Sequence, residues 1–148
     1  MTRTIFWATI TLVSVAGYAQ GVDAHLATVN DLFAGGVKFR IDHNYRFIAE
    51  VYGDQGLVRQ DIAFVEFLDA DAVSYSDEEG AVVLKCKDPG MQCIDKEIFK
   101  MNTIRHTGRS TLRIAPQKKE AAMAALTALI RSAQEALATE RAAATMPK

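Results

Sequence analysis

The apolar residues of this chain change from a period of two to a helical period at Pro116, and that change constrains the fold more than any other feature. Before it, from Gly36 onward, apolar side chains recur at every second position in short runs, as on half-buried strands. After it, residues 117–138 contain neither glycine nor proline and are rich in alanine. There Met123, Leu126, Leu129, Ile130, Ala133 and Leu137 recur at intervals of three and four. Such a segment is an amphipathic helix with one apolar stripe, and a proline at its entry suits a helix N-terminus. The expected fold is therefore α+β: an antiparallel strand assembly closed by a C-terminal helix.

The strand signals fall at residues 37–41, 45–51, 57–67, 72–75, 81–87, 92–99 and 110–115. In the first, Val37, Phe39 and Ile41 alternate with Lys38, Arg40 and Asp42. The third is long and is expected to kink or bulge near Asp61. The connections are short, with turn residues at 42–44, 53–56 and 77–80, so seven antiparallel strands are predicted. Ahead of them, residues 23–34 carry Leu26, Val29, Leu32 and Phe33 at helical spacing, ended by Gly35-Gly36. Residues 139–148 have no apolar period and are expected to form a flexible tail.

The first residues have a different character. Arg3 supplies a positive charge, residues 5–19 are almost wholly apolar, and no further charge appears until Asp23. Small residues follow at the spacing of a signal-peptide junction, permitting cleavage after Ala19 or after Ala24. Residues 1–24 are thus expected to be a leader and residues 25–138 a single domain, exported to the periplasm or secreted. An uncleaved leader serving as a membrane anchor is the alternative.

The chain has two cysteines, Cys86 and Cys93, flanking Lys87-Asp88-Pro89-Gly90-Met91-Gln92. Pro-Gly suits the centre of a type II turn. A hairpin centred there sets Cys86 opposite Cys93, at a separation compatible with a disulfide. In an oxidising compartment a bridge is the expectation. Two free buried thiols remain the alternative; a redox-active dithiol fits less well, because the spacing is not C-x-x-C.

Seven strands followed by one amphipathic helix resemble the pleckstrin-homology-like (PH-like) superfamily. The resemblance lies in the order of elements over residues 36–138, in the Asp88-Pro89-Gly90 turn, and in the run Leu112-Arg113-Ile114-Ala115-Pro116 entering the helix. It implies two sheets forming a barrel or sandwich, with the helix plugging one open end. It also implies that Lys38, Arg40 and Arg46 are similar to the basic cluster with which some members hold inositol phosphates. An exported protein is not expected to meet those lipids.

Charge and motif narrow the function further. Seventeen basic and eighteen acidic side chains in 148 residues give a net charge of −1, so nucleic acid is not an expected partner. The charge is nonetheless segregated. Residues 61–80 hold seven acidic and no basic side chains, whereas residues 96–119 hold seven basic ones against Glu97 alone. These stretches either neutralise each other across the sheets or form a dipolar surface for a charged partner. His25, His43 and His106 lie far apart, without metal-ligand spacing. Asp69 and Asp71 begin a calcium-loop pattern that Val73 breaks, and Asp77-Glu78-Glu79-Gly80 reads as a turn. No nucleophile elbow, P-loop or dinucleotide fingerprint is present. No metal or cofactor is expected, and a barrel this small is filled by its own side chains rather than by a carried ligand.

The sequence therefore points to an exported, non-catalytic binding module for a protein or peptide partner, with Arg105, Arg109 and Arg113 as contact residues. A small envelope enzyme with a site of scattered polar residues, or a binder of an anionic lipid surface, stands as the alternative. Membrane contact is expected only through the basic patch or a retained leader.

Overall fold

A computed structural model describes residues 16–147. Two helices, α1 (Ala16–Leu32) and α2 (Lys119–Ala144), enclose eight strands: β1 (Val37–Ile41), β2 (Arg46–Gly53), β3 (Gly56–Phe64), β4 (Ser74–Ser76), β5 (Ala81–Lys85), β6 (Ile94–Ile98), β7 (Thr103–Thr107) and β8 (Arg109–Arg113). The strands divide into a five-stranded sheet ordered β1-β2-β3-β6-β7 and a three-stranded sheet ordered β4-β5-β8. Every pairing is antiparallel. The α+β class and the closing C-terminal helix are as expected; the number of strands and their division are not.

The eighth strand is β7, which lies in a stretch without alternating apolar residues. Its one large apolar side chain, Ile104, points to solvent and is 59% exposed. A strand at the margin of a sheet needs no buried face, so the period-two signal is missing while the β-branched Thr103, Ile104 and Thr107 remain.

The proline-glycine hairpin is also corrected. The Met91 amide does donate to the Asp88 carbonyl (3.0 Å), closing a turn around Pro89-Gly90. However, Gly90 is not among the positive-φ residues, so the turn is not type II. The strands on either side do not pair: β5 belongs to the small sheet and β6 to the large one. Cys86 instead forms a bridge pair with Leu68, and its amide donates to Gly108 O. The disulfide is present, with Cα atoms 5.9 Å apart. It joins the end of β5 to the approach to β6, tying one sheet to the other rather than fixing a hairpin register.

The irregularity in the long third strand sits elsewhere than expected. The β2–β3 register shifts between Val51 and Tyr52, and β3 runs unbroken through Asp61 to Phe64. Residues 65–67 then turn as a short 3-10 helix, fastened by the Gln134 side-chain amide, which donates to Val65 O and Leu68 O (both 2.8 Å).

The core lies between the large sheet, the small sheet and the helices. Phe39, Phe47, Ala49 and Ala63 face inward from β1–β3, Val82, Leu84 and Leu112 from the small sheet, and Leu126, Leu129, Ile130 and Ala133 from α2. Phe33 at the end of α1 stacks edge-on against Phe39, with centroids 5.0 Å apart. Burial of this apolar surface, at roughly 25 cal/mol per Å², drives the assembly.

Both helices are longer than their apolar periods suggest. The expected leader falls mostly on residues 1–15, outside the described residues. Helix α1 covers Ala16–Leu32, from the first described residue, and runs through both expected cleavage junctions. Within it Val22 and Leu26 pack against the core, and Gly21 approaches α2 so closely that a Cβ there would meet Ser132 Oγ at 3.4 Å. Helix α2 continues to Ala144 rather than fraying after Ala138. Its last turns are held by Arg141, which donates to both oxygens of Glu66 (2.8 and 3.0 Å). A hydrogen bond to Glu140 holds the Tyr45 hydroxyl above its ordinary pKa, and burial acts in the same direction.

The two margins of the large sheet differ. Along β1, the Asn30 side chain of α1 behaves like another strand: its Oδ1 accepts from the Phe39 amide (2.7 Å) and its Nδ2 donates to Phe39 O (3.0 Å). Along β7, no strand among the described residues pairs with the outer side.

Candidate functional site

The inner face of the large sheet changes character along β3. Ala63 faces the core, but Asp61 and Arg59, two and four residues earlier on the same face, are charged. Asp61 is directly opposite Ala49 on one side and Lys96 on the other, and Lys96 is directly opposite Arg105. A row of charges thus crosses β3, β6 and β7, from a buried carboxylate to an exposed guanidinium.

Asp61 is 1% exposed. It is fully partnered: Arg59 donates to its two oxygens from Nε (2.8 Å) and Nη2 (3.0 Å), and Ser110 Oγ donates at 2.5 Å. Arg59 Nη2 also donates to the Thr111 carbonyl of β8 (2.8 Å), so one guanidinium joins the two sheets. Packing of Phe47, Leu68, Leu84 and Ile94 around the carboxylate leaves no space of water size. The charge is buried and paired, as desolvation requires. Ser110 is likewise 1% exposed. This part of the row is a structural seam between the sheets.

The outer part of the row is different. Lys96 is half-buried, and among the described residues neither it nor Arg105 forms an ion pair. Burial pushes the Lys96 ammonium below its ordinary pKa. Asp61 opposes that shift, while the neighbouring Arg59 and Arg109 guanidinium groups reinforce it.

The three arginines singled out from sequence do not share one surface. Arg105 is exposed at the centre of β7. Arg109 and Arg113 lie at the two ends of β8, on its outward face. Arg109 is taken up by Glu79, donating to both carboxylate oxygens, with Nη1–Oε1 at 3.1 Å. That interaction holds Glu79 below the ordinary carboxylate range, although partial desolvation works against it. Arg113 lines a cleft of about 570 Å³ with Asp77, Glu78 and Glu79. Lys96, which the sequence singled out only as one of a basic run, joins Arg105 because three strands come into register. The clue was the spacing of Arg59 and Asp61, which alternate with Gln60 and Ile62 on a strand whose inward residues are otherwise apolar.

Elsewhere the acidic stretch is neutralised mainly from α2. Arg131 pairs with Asp71, Arg141 with Glu66 (2.8 Å) and Lys119 with Asp77 (3.7 Å). Asp69 caps a 3-10 turn by accepting from the Asp71 amide (2.9 Å). The possible phosphate-binding cluster is similarly engaged: Arg40 faces Glu50 (3.5 Å) and Arg46 pairs with Asp42 (2.7 Å), leaving Lys38 beside a cleft of about 610 Å³. Among the histidines, His43 is exposed in the β1–β2 turn. His25 lies half-buried within α1 and His106 is exposed on β7. His106 Nδ1 is 2.6 Å from Asp95 Oδ1. Among the described residues no group of three His, Cys, Asp or Glu side chains is placed to hold a metal ion.

A further cleft of about 520 Å³ lies where Val22 and Leu26 of α1, the β1–β2 turn and Thr139 and Glu140 of α2 meet. Its Asp42 carboxyl is pushed up by burial, but hydrogen bonds from the Arg46 amide and guanidinium and the Asn44 amide outweigh this and hold it below its ordinary value. Among the described residues no helix is long and apolar enough to cross a membrane. Comparison with protein-family models, with curated proteins and with solved structures finds no significant match.

Proposed function

We propose that this chain is an exported, non-catalytic binding module of PH-like architecture that takes a protein or peptide segment along β7. The observation that carries the reading is the unequal treatment of the two sheet margins. The β1 margin is closed by Asn30, whereas β7 offers an unpaired backbone with Arg105 at its centre. An exposed strand margin is a template for another chain, and strand addition is a common mode of peptide capture. Two antiparallel sheets followed by an amphipathic helix support the PH-like assignment. The disulfide supports export, because such bridges persist in oxidising compartments.

Packing of α1 favours one of the two leader junctions. Cleavage after Ala24 would remove Val22, which packs against the core, and Gly21, which lies against Ser132 of α2. Cleavage after Ala19 retains both, which supports a mature chain that begins at Gln20.

Native mass spectrometry of the protein, recovered without reductant from the compartment to which its own leader directs it, tests the reading. The expected mass is that of a chain starting at Gln20 and lighter by the hydrogens of one disulfide. A bound polypeptide should slow amide exchange at 103–107. A full-length, reduced chain would overturn export, and a bound polypeptide that leaves β7 exchanging freely would overturn the placement of the site.

A further inference from the structure

Resting on the reading of β7 as a capture strand, we infer that the captured segment is acidic and alternates carboxylate with apolar residues. Five charged groups gather along the seam besides Arg105: Arg59, Asp61, Lys96, Arg109 and Glu79. Arg59 is used by Asp61 and Arg109 by Glu79. Lys96 and Arg105 then face each other directly across β6 and β7, and neither forms an ion pair among the described residues, although Asp61, directly opposite Lys96 on β3, and Glu79 attract its ammonium from farther away. Like charges directly opposite on a sheet repel, and the Lys96 ammonium is already held below its ordinary pKa by burial, with Asp61 working against that shift and the Arg59 and Arg109 guanidinium groups adding to it. A carboxylate arriving beside them would relieve both costs.

Strand addition supplies that carboxylate at a defined position. A segment paired with β7 sets one residue directly opposite Arg105, about 4.5–5.5 Å away between Cβ atoms, on the face shared by Lys96. Aspartate or glutamate there would meet the Arg105 guanidinium, and a glutamate has the reach to approach the Lys96 ammonium. Because side chains alternate between faces, its neighbours in the segment point to the outer face. Ile104 is 59% exposed on that face of β7, and Met101, in the turn leading into the strand, is 55% exposed. Apolar side chains beside the carboxylate would cover Ile104. Charge therefore selects the inward residue, and apolar contact selects those facing outward.

The test uses three fluorescein-labelled heptapeptides, alternating valine with glutamate, glutamine or lysine, titrated into the mature disulfide-bonded protein at low salt with anisotropy as readout. Amide exchange at 103–107 is followed in parallel. The glutamate peptide should bind at least about tenfold more tightly than the glutamine peptide and slow exchange of β7, and its advantage should shrink as salt rises. Lys96→Gln combined with Arg105→Gln should erase the advantage without changing the melting temperature by more than a few degrees, because neither side chain is in the core. Equal binding of all three peptides with β7 protected would overturn the charge inference but leave β7 as a capture strand. No binding by any peptide would overturn the capture strand itself. Arg105-dependent binding to phosphatidylglycerol vesicles, with none to peptides, would replace the acidic segment with an anionic membrane.

Discussion

Replacing Asp61 with asparagine is the most direct test of the charged seam. The amide matches the carboxylate in size, so the change removes charge with little loss of packing. What it leaves behind sets the cost. Of the two Arg59 bonds, at 2.8 and 3.0 Å, one loses its acceptor to an NH2 group and the other keeps only a neutral oxygen, and Ser110 loses an anionic acceptor at 2.5 Å. Removing one partner of a buried pair costs roughly 3–5 kcal/mol, because the remaining charge stays desolvated. Here the lower end applies: the Arg59 side chain is 22% exposed and can recover some water, and it keeps its bond to Thr111 O. The expectation is about 3 kcal/mol. With a urea m-value of about 2 kcal/mol/M, the unfolding midpoint should fall by about 1.5 M.

A second variant separates charge from packing. Arg59→Met with Asp61→Leu removes both partners, so no orphaned charge remains, and this pair should lose less stability than Asp61→Asn alone. Equilibrium unfolding followed by circular dichroism reads both. If Asp61→Asn shifts the midpoint by less than about 0.5 M, or if the double variant is the less stable, the seam is not a desolvated ion pair and the account of it fails.

Removing the disulfide by Cys86→Ser with Cys93→Ser should cost about 2 kcal/mol, modest because the closed loop is short. Without reductant, neither thiol of the parent protein should react with an alkylating agent. Gly108→Ala places a Cβ 2.8 Å from the Met91 carbonyl oxygen, a backbone atom with little freedom to move. The loss should be about 2 kcal/mol, lowering the melting temperature by about 8 °C in a scanning calorimeter. Asn30→Ala orphans the Phe39 amide and carbonyl at the β1 margin, so it should destabilise by about 2 kcal/mol and increase self-association by light scattering. Glu66 lies below its ordinary pKa because Arg141 hydrogen-bonds it, against partial desolvation. Its contribution is therefore present above the unfolded-state value of about 4.3 and is lost as pH falls through the lower folded value. Amide exchange in the last turns of α2 should rise over that acid range, and Glu66→Gln should raise it already at neutral pH and flatten the dependence.

The parts of the fold legible in the sequence are those in which one face of an element is buried. The stripe Leu126, Leu129, Ile130, Ala133 marked α2 because all four positions are buried, and Val37 and Phe39 marked β1 for the same reason. The continuation of α2 to Ala144 was not legible, because Arg141 holds it through Glu66, a polar partner that leaves no apolar period. Nor was the division of strands between sheets. Pro89-Gly90 signals a turn, and a turn occurs, but whether its flanks pair depends on what else competes for them. Here Gly108 and Leu68 take the backbone of Cys86. Asp61 was visible as an interruption, and a charged residue inside a strand reads locally as a kink. Only the approach of Arg59 and Ser110, the latter 49 residues away, makes it a buried anion in a straight strand.

The same long-range logic explains why the candidate surface sits where it does. The seam draws Arg59 and Asp61 inward to join β3 to β8, and its pairing is complete once Ser110 is added. Lys96 and Arg105 continue that row toward solvent, on two strands attached to the sheet only through β3. Asp61 attracts the Lys96 ammonium, but neither Lys96 nor Arg105 forms an ion pair among the described residues, and the two cations stand directly opposite each other. In the same sheet, the chain devotes a side-chain amide to closing the β1 margin, so an open margin is not a general property of this fold. A row of charge that stabilises the fold at its buried end and opposes it at its exposed end has a reason to persist if something outside the chain completes it. The open backbone of β7 is the place where such a partner can pair.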